Sequence, residues 1–309
     1  MEKSLDVSII IVNYNTKDLT RNCLKSVFRQ TKDISFEVIV SDNGSTDGSL
    51  EMIKSEFPQV VLIENNENLG FGAANNRGLK MTKGKYIFYL NSDTVLLNNA
   101  VKIFFDYWEN SPEKEKIGAL GCVLQDENGN LIHSGGEFPT YKKETFRLIK
   151  ENVSISINSL LSLFHIKQIH KKNRKVENAF YESVDYVTGA DLFIRNNSFA
   201  EFDERYFLYF EETDLQLKMN KNNLKRILIS DPKIIHLEGK SNKIKMKSLD
   251  RYISFSSIQI LFSRILYFKK NNHKKIWLFM IFILEQLYLF HFFYKTKNIR
   301  KKLWSLYVS

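Results

Sequence analysis

The chain has 309 residues, of which 43% are hydrophobic, so it can bury the core of one large domain with an appendage. Its two cysteines, Cys23 and Cys122, lie in apolar segments, which favours buried free thiols and excludes a disulfide-based fold. The segment 1–6 lacks the basic and apolar regions of a signal peptide, so we expect a cytoplasmic protein.

The formal net charge of +10 is unevenly distributed. From Lys240 to Ser309 there are 15 Lys/Arg and 2 acidic residues, whereas residues 1–239 carry a net charge of −3. The basic character therefore belongs to the C-terminal tail, and the charge of the preceding domain is ordinary.

Four apolar runs in the first 95 residues each end in polar residues. Continuous Val/Ile-rich runs are typical of parallel strands that are covered on both faces, and the segments between them have helical periodicity. Polar residues at the carboxyl ends of such strands lie where open α/β sheets bind ligands. We therefore predict an α/β fold that binds a nucleotide. The four runs are Val7–Val12, Phe36–Val40, Val60–Ile63 and Tyr86–Leu90.

The rest of the chain is less regular. It is predicted to contain β-structure over 117–139, a helical insertion over 140–182, strands at Tyr186–Arg195 and Lys225–Ser230, a helix at Glu211–Asn222, and basic helices from Lys240 onward.

Asp42 follows the second apolar run and precedes the turn-rich segment Asn43–Gly48. A carboxylate at this position could accept the N3–H of a uracil or thymine ring. Turn chemistry at a helix start explains the same residues equally well.

Asn91-Ser92-Asp93 follows the fourth run. The Asp93 carboxylate could hold a hard divalent cation through oxygen, although Asn and Asp are also common in turns at strand ends. His236 follows a later strand and is a candidate nitrogen ligand beside Asp93, although an isolated histidine is more often structural.

The segment Gly70–Asn75 resembles a dinucleotide fingerprint but has Asn75 at the third glycine position, and it follows the third run rather than the first. This disfavours a Rossmann oxidoreductase.

Glu211-Glu212-Thr213-Asp214 follows the aromatic segment Tyr206–Phe210. Acids beside buried aromatic side chains can include one with a raised pKa, which suits a general base. Acidic residues are also common in the first turn of a helix, and taken alone the motif favours that interpretation.

These motifs occur together in one order, and in combination the chain resembles family 2 glycosyltransferases, with the bacterial rhamnosyltransferase-like group as the most similar. The resemblance extends over roughly residues 5–241. It implies a GT-A fold and the inverting transfer of a sugar from a nucleotide-diphospho-sugar. The motifs are Val12–Thr16, Asp42–Asp47, Asn68–Gly72, Asn91–Thr94 and Phe207–Asp214.

By position, the resemblance implies that Asn13 and Asn15 line the nucleotide pocket and that Asp42 reads the pyrimidine. Asn75 and Arg77 would lie near the donor. The remaining residues implied on the donor side are Asn43, Gly70, Asn91 and Ser92.

Asp93 matches the last acid of the family's DXD motif, and Asn91 replaces the first. With His236, Asp93 would hold Mg²⁺ or Mn²⁺. In the family's acid pair before a helix, the second position carries the base, which makes Glu212 the first choice, with Asp214 and Glu211 as alternatives. On the acceptor side, the resemblance implies Gly189-Ala190, and the loop His133–Gly136 matches a recurrent segment without an assigned role.

The expected reaction moves a sugar, from dTDP-rhamnose or a UDP-sugar, to a hydroxyl of a glycan acceptor on a polyprenyl diphosphate, in surface polysaccharide synthesis. There are two alternative functions. One is a non-catalytic sugar-nucleotide or polysaccharide-binding module of the same fold. The other is a sugar-phosphate nucleotidyltransferase, which is disfavoured because Asn13–Thr16 is not a Gly-rich basic loop.

In the tail, the apolar run Ile276–Phe293 contains Glu285, Gln286 and His291. An acid at its centre costs about 2.5–3.5 kcal/mol on membrane insertion. This favours a helix that lies on an anionic membrane surface, at the inner face of the cytoplasmic membrane, over one that spans it or packs on the domain. Nucleic acid is disfavoured, because the aromatic residues are not spaced as stacking platforms.

Overall fold

A computed structural model describes residues 5–163, 182–237, 254–271, 275–290 and 293–308. They form two units. The sheet unit contains residues 5–138, 182–207 and 211–237, and the helical unit contains residues 139–163, 208–210 and those described beyond 253. The predicted domain boundary at 241/242 and residues 164–181 of the predicted insertion lie outside the described residues.

The strands and helices of the described residues alternate over the first hundred positions, as expected for an α/β fold. The strands are β1 Leu5–Asn13, β2 Phe36–Asp42, β3 Val61–Glu64, β4 Gly84–Asn91, β5 Thr94–Leu96, β6 Ile117–Cys122, β7 Gly135–Gly136, β8 Glu182–Val184, β9 Tyr186–Val187, β10 Asp191–Arg195, β11 Lys225–Ile229 and β12 Ile234–His236. The helices are α1 Lys17–Gln30, α2 Ser49–Glu56, α3 Phe71–Leu79, α4 Ala100–Asn110, α5 Tyr141–Leu163, α6 Glu211–Lys221, α7 Phe255–Asn271, α8 Lys275–Phe290 and α9 Phe293–Val308.

The central sheet has the strand order β3-β2-β1-β4-β10-β6-β11-β8. Its first four strands are parallel neighbours, whereas β10 runs antiparallel to both β4 and β6. Because parallel strands end at the same edge, Asn13 pairs with Asp42, and Asn91 pairs with Val12. The predicted mostly parallel sheet is confirmed, and its polar strand ends meet at one edge.

The prediction of four buried strands is wrong for β3. Val61, Leu62 and Ile63 are only partly buried, because β3 is the last strand at one side of the sheet. The predicted strand Tyr186–Arg195 is also divided: a turn at Gly189-Ala190 separates β9, which pairs with β7, from β10 in the central sheet.

Both faces of the central sheet are covered, as the apolar runs predict. Ile9 and Ile11 of β1 belong to one buried cluster, with Trp108 of α4, and Ile10 belongs to the opposite cluster, with Leu215 of α6. This alternation follows from the two-residue period of a strand. A strand buried on both sides therefore needs an uninterrupted apolar sequence.

Both cysteines are buried free thiols, as predicted. Burial raises the pKa of Cys23 to about 12, and it also raises the pKa of Cys122. Neither thiol is poised to ionise near neutral pH.

Two short ribbons lie beside the central sheet. β12 pairs antiparallel with β5, and His236 is opposite Thr94, the residue after Asp93. β7 pairs with β9, so that Gly135 and Gly136 lie opposite Val187 and Tyr186. A Cβ at Gly135 would lie 2.7 Å from the Tyr186 carbonyl oxygen, so the recurrent loop needs glycine to make this pairing.

The helical unit has a buried ion pair. Glu285 of α8 is fully buried, and Arg264 of α7 donates to its Oε1 at 2.7 Å. Arg264 also lies 3.1 Å from Glu144 of α5, between Nε and Oε2. The acid that interrupts the apolar tail is therefore paired inside the unit. Among the described helices, none has both the length and the apolar character needed to cross a membrane.

Candidate functional site

Asp42 is buried at the end of β2, and backbone donors hold its carboxylate. Gly44 and Ser45 donate their N–H groups to Oδ1 at 3.0 and 2.8 Å, and the Asn13 side-chain amide donates to Oδ2 at 2.6 Å. A carboxylate has about four acceptor positions, so one remains for an incoming N–H donor. The geometry contains the predicted turn, and the predicted base contact stays a prediction.

The side chain of Asn13 makes hydrogen bonds through both its amide nitrogen and its oxygen. Its amide also donates to Ser45 Oγ, and its Oδ1 accepts bonds from the hydroxyls of Thr16 and Thr20. Asn13 therefore orients Asp42 and the start of α1.

Asn15 has a φ of 53°, and its Oδ1 accepts the Thr46 N–H at 2.8 Å. This bond ties the segment after β1 to the loop after β2. The short side chain of asparagine tolerates the left-handed backbone at this point.

Asn43 joins the loops after β2 and β3 to the start of α3. Its side-chain amide donates to Asn68 Oδ1 and to the Gly70 carbonyl oxygen, and its Oδ1 accepts from Asn65. The segment that resembles a dinucleotide fingerprint is thus held against the strand edge.

Asn75 and Arg77 lie on α3 but do not share a face. Asn75 is buried and donates to the Phe71 carbonyl oxygen at 3.1 Å, whereas Arg77 is exposed. Residues two apart on a helix point in nearly opposite directions.

Asp93 and His236 lie together, although 142 residues separate them in the sequence. His236 Nε2 lies 3.2 Å from Asp93 Oδ1 and 3.5 Å from the Asn91 side-chain nitrogen. Ser92 lies next to this group, and its Oγ is 3.2 Å from that of Thr16. The β5–β12 pairing creates this proximity, as the Leu237 N–H donates to the Asp93 carbonyl oxygen.

These side chains fit a divalent cation. A carboxylate and an imidazole are within reach of each other, and the buried Asn91 Oδ1 has no hydrogen-bond partner. Among the residues that the structure describes, no cluster of three or more acidic, histidine or cysteine side chains could hold a metal. Magnesium sites that substrate phosphates complete have one or two protein carboxylates, and Asp93 is one such group.

Glu211, Glu212 and Asp214 lie in the first turn of α6. Burial raises the pKa of Glu212, while hydrogen bonds from Thr213 and the helix backbone oppose the rise. Asp214 is buried and accepts from the Tyr206 hydroxyl at 3.3 Å, and Glu211 is also buried. Glu212 is the most accessible of the three, and a raised pKa is the direction that a general base needs.

Gly189 and Ala190 lie next to the base candidate Glu212 and to Asn91 at the end of β4. A Cβ at Gly189 would lie 3.7 Å from Cβ of Glu212, and the Ala190 carbonyl oxygen accepts the Asn91 N–H at 3.0 Å. The turn between β9 and β10 therefore contacts both the base candidate and the strand end that leads to Asp93.

Gln216 was not predicted from the sequence. This buried side chain of α6 donates to the carbonyl oxygens of Val187 and Glu212 and accepts the Val187 N–H. It fixes the first turn of α6 against β9. A glutamine in a polar helical stretch carries no pattern that distinguishes it from an exposed residue.

Asp191 was also not predicted. It is fully buried, the Cys122 N–H donates to its Oδ2 at 2.6 Å, and burial raises its pKa to about 6. An acid within the apolar strand sequence Asp191–Ile194 is a signal that could have identified it.

Solved structures share this fold. The mannosyltransferase PcManGT from Pyrobaculum calidifontis, solved with GDP-Man and Mn²⁺, has a TM-score of 0.55 at 14% identity, covering 94% of this chain and 74% of that one. TarS 1–349 of S. aureus, solved with UDP, has a TM-score of 0.51 at 15% identity, covering 95% and 74%. These likenesses confirm the GT-A fold.

Proteins with similar sequences are also glycosyltransferases or polysaccharide synthases by name. The chain is 28% identical over 280 residues to the uncharacterized glycosyltransferase YfnE of Bacillus subtilis, covering 80% of this chain and 67% of YfnE. It is 23% identical over 224 residues to an N-acetylglucosaminyl-diphospho-decaprenol L-rhamnosyltransferase of Mycobacterium tuberculosis, covering 66% and 67%. A match to the chondroitin synthase of Escherichia coli, 28% identical over 204 residues, covers 63% of this chain but only 27% of that protein.

A sequence profile described as glycosyl transferase family 2 matches residues 8–168. This match covers more than half of the chain and includes the ends of β1, β2 and β4, where Asn13, Asp42 and Asn91 lie. The chain belongs to glycosyl transferase family 2.

Proposed function

We propose that the protein is an inverting glycosyltransferase that moves a sugar from a nucleotide-diphospho-sugar to a hydroxyl of a glycan acceptor. The observation that carries this proposal is the contact of the Gly189-Ala190 turn with both Glu212 and the Asn91 strand end. A base candidate and the strand end that precedes Asp93 therefore both neighbour one turn, which supports a role for them at the same sugar.

In the proposed reaction, Glu212 accepts the proton of the acceptor hydroxyl. The hydroxyl oxygen forms a bond to the anomeric carbon from the face opposite the diphosphate, and the bond from that carbon to the diphosphate breaks. The diphosphate leaves with the electron pair. One carboxylate is enough for a single displacement, because no covalent glycosyl-enzyme forms.

Asp93 and His236 would hold Mg²⁺ or Mn²⁺, with Asn91 beside them. A bound cation would supply positive charge that stabilises the departing diphosphate. Asp42, through its remaining acceptor position, would bind the pyrimidine, and Asn13, Asn15, Asn43 and Gly70 would keep that carboxylate and its loop in place.

For the donor we propose dTDP-rhamnose or a UDP-sugar, and for the acceptor a glycan on a polyprenyl diphosphate. One relative is named as a rhamnosyltransferase that acts on a decaprenol-linked acceptor, and UDP is present in a TarS structure. A lipid-linked acceptor places the reaction at a membrane surface, which suits the basic tail.

The proposal predicts that Glu212→Gln abolishes turnover and preserves donor binding, because glutamine keeps the shape of the side chain but cannot accept the proton. With the donor that wild-type protein turns over, nucleoside diphosphate release should fall by about 10²–10⁴-fold. Donor affinity, measured by calorimetry with Mn²⁺, should stay within a few-fold of wild type.

The matched control is Glu201→Gln, which removes an exposed carboxylate from the same unit and should leave turnover unchanged. Wild-type turnover in the Glu212 variant would refute its role as the base. If wild-type protein binds a nucleotide sugar but does not turn it over with any acceptor, the non-catalytic binding module is the correct function.

A further inference from the structure

The exposed side of α8 is almost entirely apolar. Apart from Lys275, every side chain of this helix classed as exposed is hydrophobic, with exposed fractions of 39–70%. Their spacing of three or four residues places them in one stripe along the helix. The stripe consists of Ile276, Phe279, Met280, Ile283, Leu287 and Phe290.

The acid of this helix faces the other way. Glu285 is fully buried and bonded to Arg264, so α8 has its acid inside the unit and one stripe of its apolar side chains outside. A helix on the surface of a water-soluble domain has the reverse pattern. Among the residues that the structure describes, none buries the stripe side of α8, and the stripe has the polarity of a helix that lies in a lipid interface.

A second apolar stripe lies on α5, which packs directly against α8. The Asn152 side-chain amide of α5 donates to the Leu284 carbonyl oxygen at 3.1 Å. The exposed stripe consists of Phe146, Ile149, Val153 and Ile157.

The basic and acidic side chains of α5 lie on different sides of the helix. At 100° per residue, Lys142 and Lys150 lie within the arc of the stripe or beside it. The acids Glu144 and Glu151 lie on another side of the helix, where both bond to Arg147. The apolar stripe is therefore accompanied by positive charge, and the negative charge is neutralised away from it.

We propose that the stripes of α5 and α8 form a docking surface for an anionic lipid bilayer, with their apolar side chains inserted at the boundary between headgroups and acyl chains. The four described helices of this unit carry 13 Lys/Arg and 3 Glu. Anionic headgroups complement this charge, whereas a second copy of the chain would bring like charges together. This surface would bring the enzyme to the membrane that holds its acceptor. The proposal rests on the proposed function only through the lipid-linked acceptor.

The test is co-sedimentation of the full chain with vesicles of equimolar phosphatidylglycerol and phosphatidylcholine. Two double variants remove the stripes separately: Ile283→Gln with Leu287→Gln on α8, and Ile149→Gln with Val153→Gln on α5. Each pair should weaken vesicle binding about tenfold or more, because two apolar side chains no longer leave water. All four side chains are exposed, so the fold should tolerate the changes.

The matched control is Met81→Gln with Leu97→Gln, which replaces exposed apolar side chains of the sheet unit and should not change vesicle binding. Pure phosphatidylcholine vesicles should bind wild-type protein more weakly. Unchanged binding of either stripe variant would overturn the two-helix surface, and equal binding to both lipids would overturn the role of charge. A wild-type dimer that the stripe variants dissociate would identify a second copy as the occupant and overturn the proposal.

The same samples separate this inference from the proposed function. Glu212→Gln should bind vesicles like wild type, and the stripe variants should retain nucleoside diphosphate release with a soluble acceptor. Vesicle binding without any turnover would contradict the proposed function alone.

Discussion

At the residue scale, Gly70 has a backbone conformation that other residues rarely adopt. Its φ is +87°, and a Cβ at this position would lie 2.4 Å from the Phe207 carbonyl oxygen. That oxygen accepts the Phe71 N–H at 2.9 Å, which fixes the start of α3. Glycine here allows two backbone segments to approach closely beside the candidate donor site.

Gly70→Ala should therefore destabilise the sheet unit by more than the ~1–3 kcal/mol expected for backbone strain alone. It should also raise the KM for the donor, because the Phe207 carbonyl must move. Urea unfolding and steady-state kinetics measure the two effects. Gly129→Ala is the control, since Gly129 has a φ of +79° but a Cβ there would contact nothing within 4 Å. Equal losses in the two variants would show that the contact with Phe207 is unimportant.

The sequence predicted those site residues that interrupt a strong pattern. Asp42 and Asp93 were found because each follows a long apolar strand, and parallel strands end together. The proximity of His236 to Asp93 depends on the β5–β12 pairing between distant segments, so the sequence indicated His236 only as a candidate ligand that follows a strand. Gln216 was missed because its burial results from packing and not from its local sequence.

At the element scale, α8 is held in the helical unit by a buried acid. Burial raises the pKa of Glu285 to about 7 even though Arg264 opposes the rise. Its pKa is higher in the folded than in the unfolded state, so its contribution to stability is full below about pH 4.5 and is lost as pH rises through about 7.

We expect the unfolding temperature of the helical unit to fall as pH is raised from about 5 to about 8, and Glu285→Gln to reduce this dependence. Glutamine does not titrate, and Arg264 keeps Glu144 as a neighbour. Thermal unfolding followed by circular dichroism at several pH values measures the effect. The same pH dependence in both proteins would rule out Glu285 as its source.

The apolar pattern predicted which segments form strands better than it predicted how deeply each strand is buried or which sheet it joins. The four apolar runs became β1 to β4, but β3 is only half-buried because burial also depends on how many neighbours a strand has. The segment Tyr186–Arg195 was predicted as one strand because apolar residues lie on both sides of the turn at Gly189-Ala190. The period-two pattern does not show that the chain moves from one sheet to another at this turn.

At the scale of the whole molecule, the two units should respond differently to ligand. Under the proposed function, a donor nucleotide with Mn²⁺ would bind the folded sheet unit and stabilise it by about 2.7 kcal/mol at a hundred times Kd. A thermal-shift screen of nucleotide sugars, with and without Mn²⁺, measures this and identifies the donor. EDTA should reverse the shift, and added Mn²⁺ should restore it. A shift that EDTA leaves unchanged would contradict a metal role for Asp93 and His236.

The two buried thiols have a consequence for how the protein could be followed in solution. Cys23 lies beneath the candidate cation site, where its Sγ donates to the Asn91 carbonyl oxygen at 3.6 Å. Alkylating reagents attack thiolates, and burial keeps both sulfurs protonated and out of reach. The rate at which iodoacetamide labels Cys23 therefore reports how often the strand end beside the candidate cation site opens. This measurement needs no dye and no added residue.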